Sequence, residues 1–137
     1  MLIFVMLACG KATPEETIAD WVEEQGLSFR DCGALDFDQC SGEAIQPADQ
    51  TLINCITGAW ASCGAARLEV SEPTIEGDPI LTTYFVVPTD EGCELTRFID
   101  STQDAFGDGL LHQYTCTDLT ELGECPGLSA EGCVEEE

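Results

Sequence analysis

The sequence predicts an α+β fold: two short helices packed on a four-stranded antiparallel β-meander, stabilised by disulfides. In the first half of the chain, apolar residues recur at helical spacing over 14–25 and 47–61. From Ala65 onward they recur at every second residue, which is typical of half-buried strands. Helices followed by a run of strands favour an α+β arrangement with the helices on one sheet face. The 137 residues suffice for one core and one domain.

The first helix is predicted to begin at Pro14. Thr13 precedes it as the N-cap, and Glu16 at the third helical position completes a capping box. Apolar residues continue at helical spacing through Trp21, and Gly26 supplies a stop signal. These signals predict a short amphipathic helix.

The second helix is predicted to begin at Pro47 and to end near Ala61. An apolar stripe runs along one side of it, while residues 48–50 are expected to face solvent. The stripe consists of Leu52, Ile53, Ile56, Ala59 and Trp60.

Four strands are predicted in the second half of the chain. Residues 76–79 carry a turn signal between the first two, and the second strand is apolar on both faces, as expected near the middle of a sheet. The strands cover 66–70, 80–87, 93–100 and 110–119, with the polar loop 101–109 joining the last two.

Nine cysteines in so short a chain indicate disulfides and an oxidising compartment. Placing Cys93 opposite Cys116 aligns the strands 93–100 and 110–119 so that most polar residues share one face, and we predict that this pair bonds. The same register sets Leu95 against Tyr114, Arg97 against His112, and Ile99 against Leu110. Cys125 and Cys133 are predicted to close a loop near the end of the sequence.

The other four cysteines flank or lie in the predicted second helix. Cys55 and Cys63 would be separated by about 12 Å along the helix axis, too far for a disulfide. An antiparallel arrangement pairs Cys40 with Cys55 and Cys32 with Cys63. The parallel alternative, Cys32 with Cys55, stays open.

The first residues resemble an export and lipidation signal. Residues 1–8 are an uncharged apolar run, and Met6-Leu7-Ala8-Cys9-Gly10 resembles the lipobox of bacterial lipoproteins. The resemblance implies cleavage before Cys9, diacylglycerol with its two acyl chains on the thiol, and usually a further acyl group such as palmitate on the new amino terminus. Two such chains make a stable membrane anchor. In such lipoproteins, an Asp directly after the lipidated cysteine favours retention at the inner membrane. This chain has Gly10 at that position, which favours the outer membrane of the bacterial cell envelope.

These assignments divide the chain into four parts. Residues 1–8 are the signal peptide, 9–13 the lipidated cysteine and linker, 14–133 a single disulfide-rich domain, and 134–137 an acidic tail. Because no Lys or Arg precedes the apolar run, we hypothesise that Met1 is a misassigned start and that the signal peptide is truncated.

The charge of the chain restricts its partners. With 27 acidic residues against 4 basic ones, the formal net charge is −23, so a nucleic-acid backbone would be repelled.

No Cys-x-x-Cys pair is present and His112 is the single histidine, which argues against zinc and dithiol redox chemistry. We expect no cofactor.

Arg97 and His112 form the most pointed candidate binding site. Two cationic side chains on an otherwise apolar sheet face can receive a carboxylate or another anion. The competing interpretation is that Arg97 reaches the sheet edge or pairs with a carboxylate, and that His112 is a hydrogen-bonded core residue.

The loop 101–109 and the preceding residue offer a candidate cation site. Asp100, Asp104 and Asp108 supply carboxylates suited to calcium, although their spacing is not that of an EF-hand. An ordinary surface loop is the favoured interpretation.

No catalytic signature accompanies these sites. The sequence contains neither a Gly-x-Ser-x-Gly nucleophile motif nor a phosphate-binding glycine loop. We therefore expect a membrane-anchored, non-enzymatic envelope lipoprotein that has a structural role or binds a protein, a cell-wall component or a small ligand. The alternatives are an envelope hydrolase or redox enzyme with an unrecognised site, and a calcium-dependent adhesion module.

Overall fold

A computed structural model describes residues 12–37 and 44–136 of the chain. Over these residues a β-sheet lies between two helices, one on each face, and a separate two-stranded hairpin packs beside the second helix. The helices are α1 (Pro14–Gln25) and α2 (Pro47–Ser62). The strands are β1 (Arg30–Asp36), β2 (Ala66–Pro73), β3 (Pro79–Thr89), β4 (Gly92–Asp100), β5 (Leu111–Cys116), β6 (Asp118–Glu121), β7 (Leu128–Glu131) and β8 (Val134–Glu135).

The large sheet has six strands in the order β1-β2-β3-β4-β5-β8. Strands β2 to β5 are antiparallel neighbours in chain order, as in the predicted meander. The predicted sheet was nevertheless incomplete, because β1 adds parallel to β2 and β8 adds to the far side of β5. The fold is α+β with a mixed sheet, and α2 makes the crossover between the two parallel strands.

The strands that sequence patterns missed are short or irregular. In β1 only Cys32 and Leu35 are buried, and the register shifts between Asp31 and Ala34, so the strand shows no clean alternation. Strand β8 has two residues and comes from the segment predicted as an acidic tail. The predicted strand 110–119 is interrupted at Thr117, beyond which β6 leaves the main sheet to pair with β7.

The helix boundaries follow the predicted signals. The Thr13 hydroxyl accepts a hydrogen bond from the Glu16 N–H at 3.2 Å, and Gly26 ends α1 in the left-handed conformation with φ +63°. Helix α2 begins at Pro47 and ends at Ser62, one residue beyond the predicted end.

Each sheet face has its own core, so the prediction that both helices cover one face was wrong. On one face Ile53 and Ile56 of α2 pack against a cluster of buried residues that includes Leu68, Val86 and Leu95. On the other face α1 packs against Phe85, Val87 and Phe98. Phe98 and Leu111 lie on the face that was expected to be solvated, and α1 covers them.

The ring of Trp21 is the main contact between α1 and the sheet. Its centroid lies 4.8 Å from that of Phe85, 5.3 Å from that of Phe98 and 6.0 Å from that of Phe29. Stacked, tilted and edge-on aromatic contacts of this kind stabilise the packing beyond their buried area.

Three disulfides join described cysteines: Cys32–Cys55, Cys63–Cys93 and Cys116–Cys133. The first ties β1 to α2 and is the parallel alternative left open above. The predicted pair Cys32–Cys63 is wrong because Cys63, at the end of α2, lies beside the start of β4 instead. The predicted pair Cys40–Cys55 is excluded as well, since Cys55 bonds Cys32; Cys40 itself lies outside the described residues.

The predicted pairs Cys93–Cys116 and Cys125–Cys133 are also wrong. In the sheet Leu95, not Cys93, is opposite Cys116, a slip of two residues that leaves every side chain on its predicted face. Cys116 and Cys133 directly continue the pairing of β6 with β7, which brings them together. Cys125 lies at the opposite end of that hairpin and is itself disulfide-bonded.

No helix among the described residues is long and apolar enough to cross a membrane.

Candidate functional site

Arg97 and His112 project from the α2 face of the sheet but are not opposite each other. Arg97 is paired with Tyr114 across β4 and β5, whereas His112 is paired with Ile99. The two-residue slip described above separates the predicted pair diagonally. Tyr114 therefore stands between the two cationic side chains, and its ring centroid is 6.4 Å from that of His112.

Arg97 lies between two tyrosines on neighbouring strands. Its guanidinium carbon is 5.0 Å from the ring centroid of Tyr114, a cation–π contact, and Tyr84 is its partner on β3. The Nε atom is buried and has no hydrogen-bond partner within the described part of the chain.

Burial is the largest influence on the pKa of two acidic side chains, Tyr84 and Glu72. It raises the pKa of the Tyr84 hydroxyl above its usual value, and the Arg97 guanidinium opposes that rise. Burial also raises the pKa of Glu72, whose charge in turn raises that of Tyr84. Arg97 is the only cation among these three side chains, and it offsets part of the effect of burial on Tyr84.

His112 is held by two carboxylates, one at each ring nitrogen. Nε2 is 2.5 Å from Oδ2 of Asp108, and Nδ1 contacts Oε1 of Glu135. These contacts, with Glu135 contributing most, raise the pKa of His112 above 6.5. When the ring is protonated, it donates to a carboxylate from each of its nitrogens.

The three aspartates proposed for calcium accept hydrogen bonds from the backbone. Oδ1 of Asp100, Asp104 and Asp108 accepts a hydrogen bond from the N–H two residues further on in each case, at 2.9 to 3.0 Å. Asp100 also accepts from the hydroxyl of Thr102 at 2.6 Å. Across residues 12–37 and 44–136, no group of three or more His, Cys, Asp or Glu is arranged to hold a metal ion.

The described arginines are not neutralised by the many carboxylates around them. In the described ranges the only ion pairs are those of His112, so Arg30, Arg67 and Arg97 form none. Arg67 lies over the Phe85 ring at 5.4 Å on the α1 face. Arg30 lines an open cleft of about 500 Å³ beside α2, together with Thr51, Asn54 and Ser62.

A further surface lies at the end of the sheet where β2 turns into β3 and β4 is connected to β5. We call it the loop-end surface and define it as residues 74–78 and 101–110. Its large apolar side chains are exposed: Ile75 is 103% exposed, Phe106 78% and Leu110 52%. An N–H···O hydrogen bond of 3.0 Å from Ala105 to Oδ2 of Asp78 joins the two segments.

Sequence patterns did not identify several of these residues. Tyr84 belongs to a strand whose apolar character was clear, but its position beside Arg97 depends on the register of two strand pairs. Glu135 reaches His112 only because β8 joins the sheet, and two residues carry no strand signal. Ile75 did have a signal, since it is an aliphatic residue directly before the turn motif 76–79.

Comparisons with family models, curated proteins and solved structures gave no match to this chain.

Proposed function

We propose that this chain is an exported envelope lipoprotein, anchored through lipid on Cys9, whose acidic domain has a non-enzymatic binding role. The oxidation state of its cysteines carries the proposal: all seven cysteines in the described ranges are disulfide-bonded. Disulfides that stabilise a small domain form and persist in oxidising compartments, outside the reducing cytosol. They link α2 to β1 and to β4, so they belong to the architecture of the domain.

The lipobox around Cys9 supports localisation to the membrane. Cys9 lies outside the described residues, and the folded domain begins with α1 at Pro14. Four residues separate the two, so the tether would span at most about 17 Å. A domain on so short a tether stays next to the membrane, and its net charge of −23 keeps it from adsorbing to anionic headgroups.

The described side chains favour binding over catalysis. Both nitrogens of His112, the single histidine, are occupied by carboxylates. The loop-end surface, by contrast, offers exposed apolar side chains. Clustered apolar groups that find no partner within the domain are what a protein partner contacts.

Intact mass spectrometry with free-thiol counting tests this proposal. We expect protein from the membrane fraction of the native host to begin at Cys9, to carry the mass of the acyl chains and to have no free thiol. Cys9→Ser is the matched control, and this variant should lose the acyl mass and leave the membrane fraction. An unprocessed chain with free thiols would overturn the proposal.

A further inference from the structure

We infer that the loop-end surface docks a protein partner whose contact surface is basic and has apolar pockets for Ile75 and Phe106. This inference rests on the proposed binding role and names the class of partner that the role requires.

The topology of the meander brings the two loops together. The β2–β3 turn and the β4–β5 loop lie at the same end of the sheet because β2 to β5 are consecutive antiparallel strands. The hydrogen bond between Ala105 and Asp78 fixes one loop to the other. Ile75 and Phe106 are therefore presented from two joined loops at the same end of the sheet.

The loop-end surface gathers most of the exposed apolar bulk of the domain. Over the described residues five large apolar side chains are exposed, and three of them, Ile75, Phe106 and Leu110, are here. Single exposed apolar residues are ordinary on protein surfaces, whereas a cluster on adjacent loops marks a contact site. Aromatic residues in particular act as anchors in protein interfaces.

Local hydrogen bonds order the backbone of both loops before any partner arrives. The N–H of Thr74 donates to the carbonyl of Asp78 at 2.8 Å, which closes the turn under Ile75. Oδ1 of Asp104 accepts from the N–H of Phe106 at 3.0 Å. A surface that is ordered in advance loses less entropy on binding, so its exposed area contributes more to affinity.

The charges around the apolar cluster select the partner. Glu76, Asp78, Asp104 and Asp108 belong to the two loops, which contain no Lys or Arg. Lys and Arg on the partner complement this surface, while an anionic bilayer or a second copy of the chain would bring like charges together. The partner is thus a protein with a basic rim around apolar pockets.

Site-specific photo-crosslinking in the native host tests the inference. A photoreactive amino acid replaces Ile75 or Phe106, and Glu91, in the β3–β4 turn at the opposite end of the sheet, is the control position. We expect both loop-end positions to form an adduct with one and the same host protein and the control position to form none. An adduct to lipid or to another copy of this chain, equal labelling from Glu91, or no adduct would each overturn the inference.

The purified partner then permits a quantitative test. We expect Ile75→Ser/Phe106→Ser to weaken its affinity by about tenfold or more, and added NaCl to weaken binding to the wild type. Leu27→Ser is the matched control, since this exposed leucine precedes β1 and is not part of the loop-end surface. Equal affinity of the double variant, with its fold verified by circular dichroism, would refute the inference.

The two proposals can fail separately. Membrane attachment is read from the mass at Cys9, whereas docking is read from crosslinks and affinity. A chain that carries no lipid but crosslinks as expected would overturn the anchor alone, and a lipidated chain without crosslinks would overturn the docking surface alone.

Discussion

Two carboxylates bind His112 at opposite nitrogens, and the ionisation of these groups makes this contact depend on pH. The folded-state pKa of His112 is raised, so its stabilising contribution is complete below about 6.5 and is lost as the pH rises through the folded-state pKa. Asp108 has a lowered pKa, so its contribution is present above about 3.8 and is lost as the pH falls through its folded-state pKa. The contact is strongest between these two limits.

Glu135→Gln should move the His112 pKa toward its ordinary value, because Glu135 is the largest cause of the shift. His112 is the single histidine in the chain, so its ring protons can be followed by NMR without assignment of the rest. Glu136→Gln is the control. Glu136 carries the same charge but accepts a hydrogen bond from Thr115, so this variant should leave the His112 titration nearly unchanged. Equal shifts in both variants would mean that net charge, and not the direct contact, sets the pKa.

Arg97→Met should raise the pKa of Tyr84 further, because the guanidinium is the main group that opposes the effect of burial. Ultraviolet absorbance of the phenolate measures the change, and the chain has only two tyrosines. Arg67→Met is the control, since Arg67 contacts Phe85 on the other sheet face. If both variants change the titration alike, Arg97 does not act on Tyr84 directly.

At the scale of elements, Trp21 makes the aromatic contacts that attach helix α1 to the sheet, beside the aliphatic contacts of Ile18 and Val22. We expect Trp21→Ala to lower the free energy of unfolding by about 3 kcal/mol, because the indole contacts Phe29, Phe85 and Phe98. Glu24→Ala, on an exposed position of the same helix, should change it by less than about 0.5 kcal/mol. Urea unfolding followed by circular dichroism measures both, and similar losses would contradict this role of Trp21.

The disulfide Cys63–Cys93 attaches the end of α2 to the start of β4. Replacing both cysteines by alanine should cost about 3 kcal/mol, since the bond closes a 30-residue separation. Cys63 also has φ +58°, a left-handed conformation that an alanine adopts with strain. Cys63→Gly/Cys93→Ala should therefore be more stable than Cys63→Ala/Cys93→Ala in urea unfolding, and the reverse order would contradict this role of the backbone.

Elements were predictable from the sequence wherever the signal is local. The cap at Thr13, the stop at Gly26 and the alternation in β2 all act within a few residues of their position. The register of β4 against β5 was not predictable from polarity, because a slip of two residues preserves both faces. Disulfide pairs depend on register and topology, so three of the four predicted pairs failed against described bonds and the fourth, Cys40–Cys55, failed because Cys55 bonds Cys32.

The candidate site was predictable in part for the same reason. Arg97 and His112 were correctly placed on one sheet face by alternation alone. Their actual neighbours, Tyr84 and Glu135, come from strands whose position relative to β4 and β5 no local pattern specifies. Asp108 was singled out for a metal, yet it bonds His112, a contact that needs the loop to fold back on β5.

For the whole molecule, self-repulsion follows from a net charge of −23 and the scarcity of ion pairs among the described residues. We expect the melting temperature to rise when NaCl is increased from low to physiological concentration, because screening weakens repulsion in the folded state more than in the expanded chain. Calorimetry measures the shift, and an uncharged osmolyte at equal osmolality controls for general solute effects. A fall in melting temperature with NaCl would show that attractive charge contacts dominate.

Both edges of the large sheet discourage the addition of another chain. Strand β1 is interrupted by a bulge and carries Asp31 and Asp36, while β8 presents two residues that end in Glu135. An incoming strand would find no long, regular row of free peptide groups, and it would meet negative charge at either side. Copies of the domain therefore have little tendency to join edge to edge into a continuous sheet.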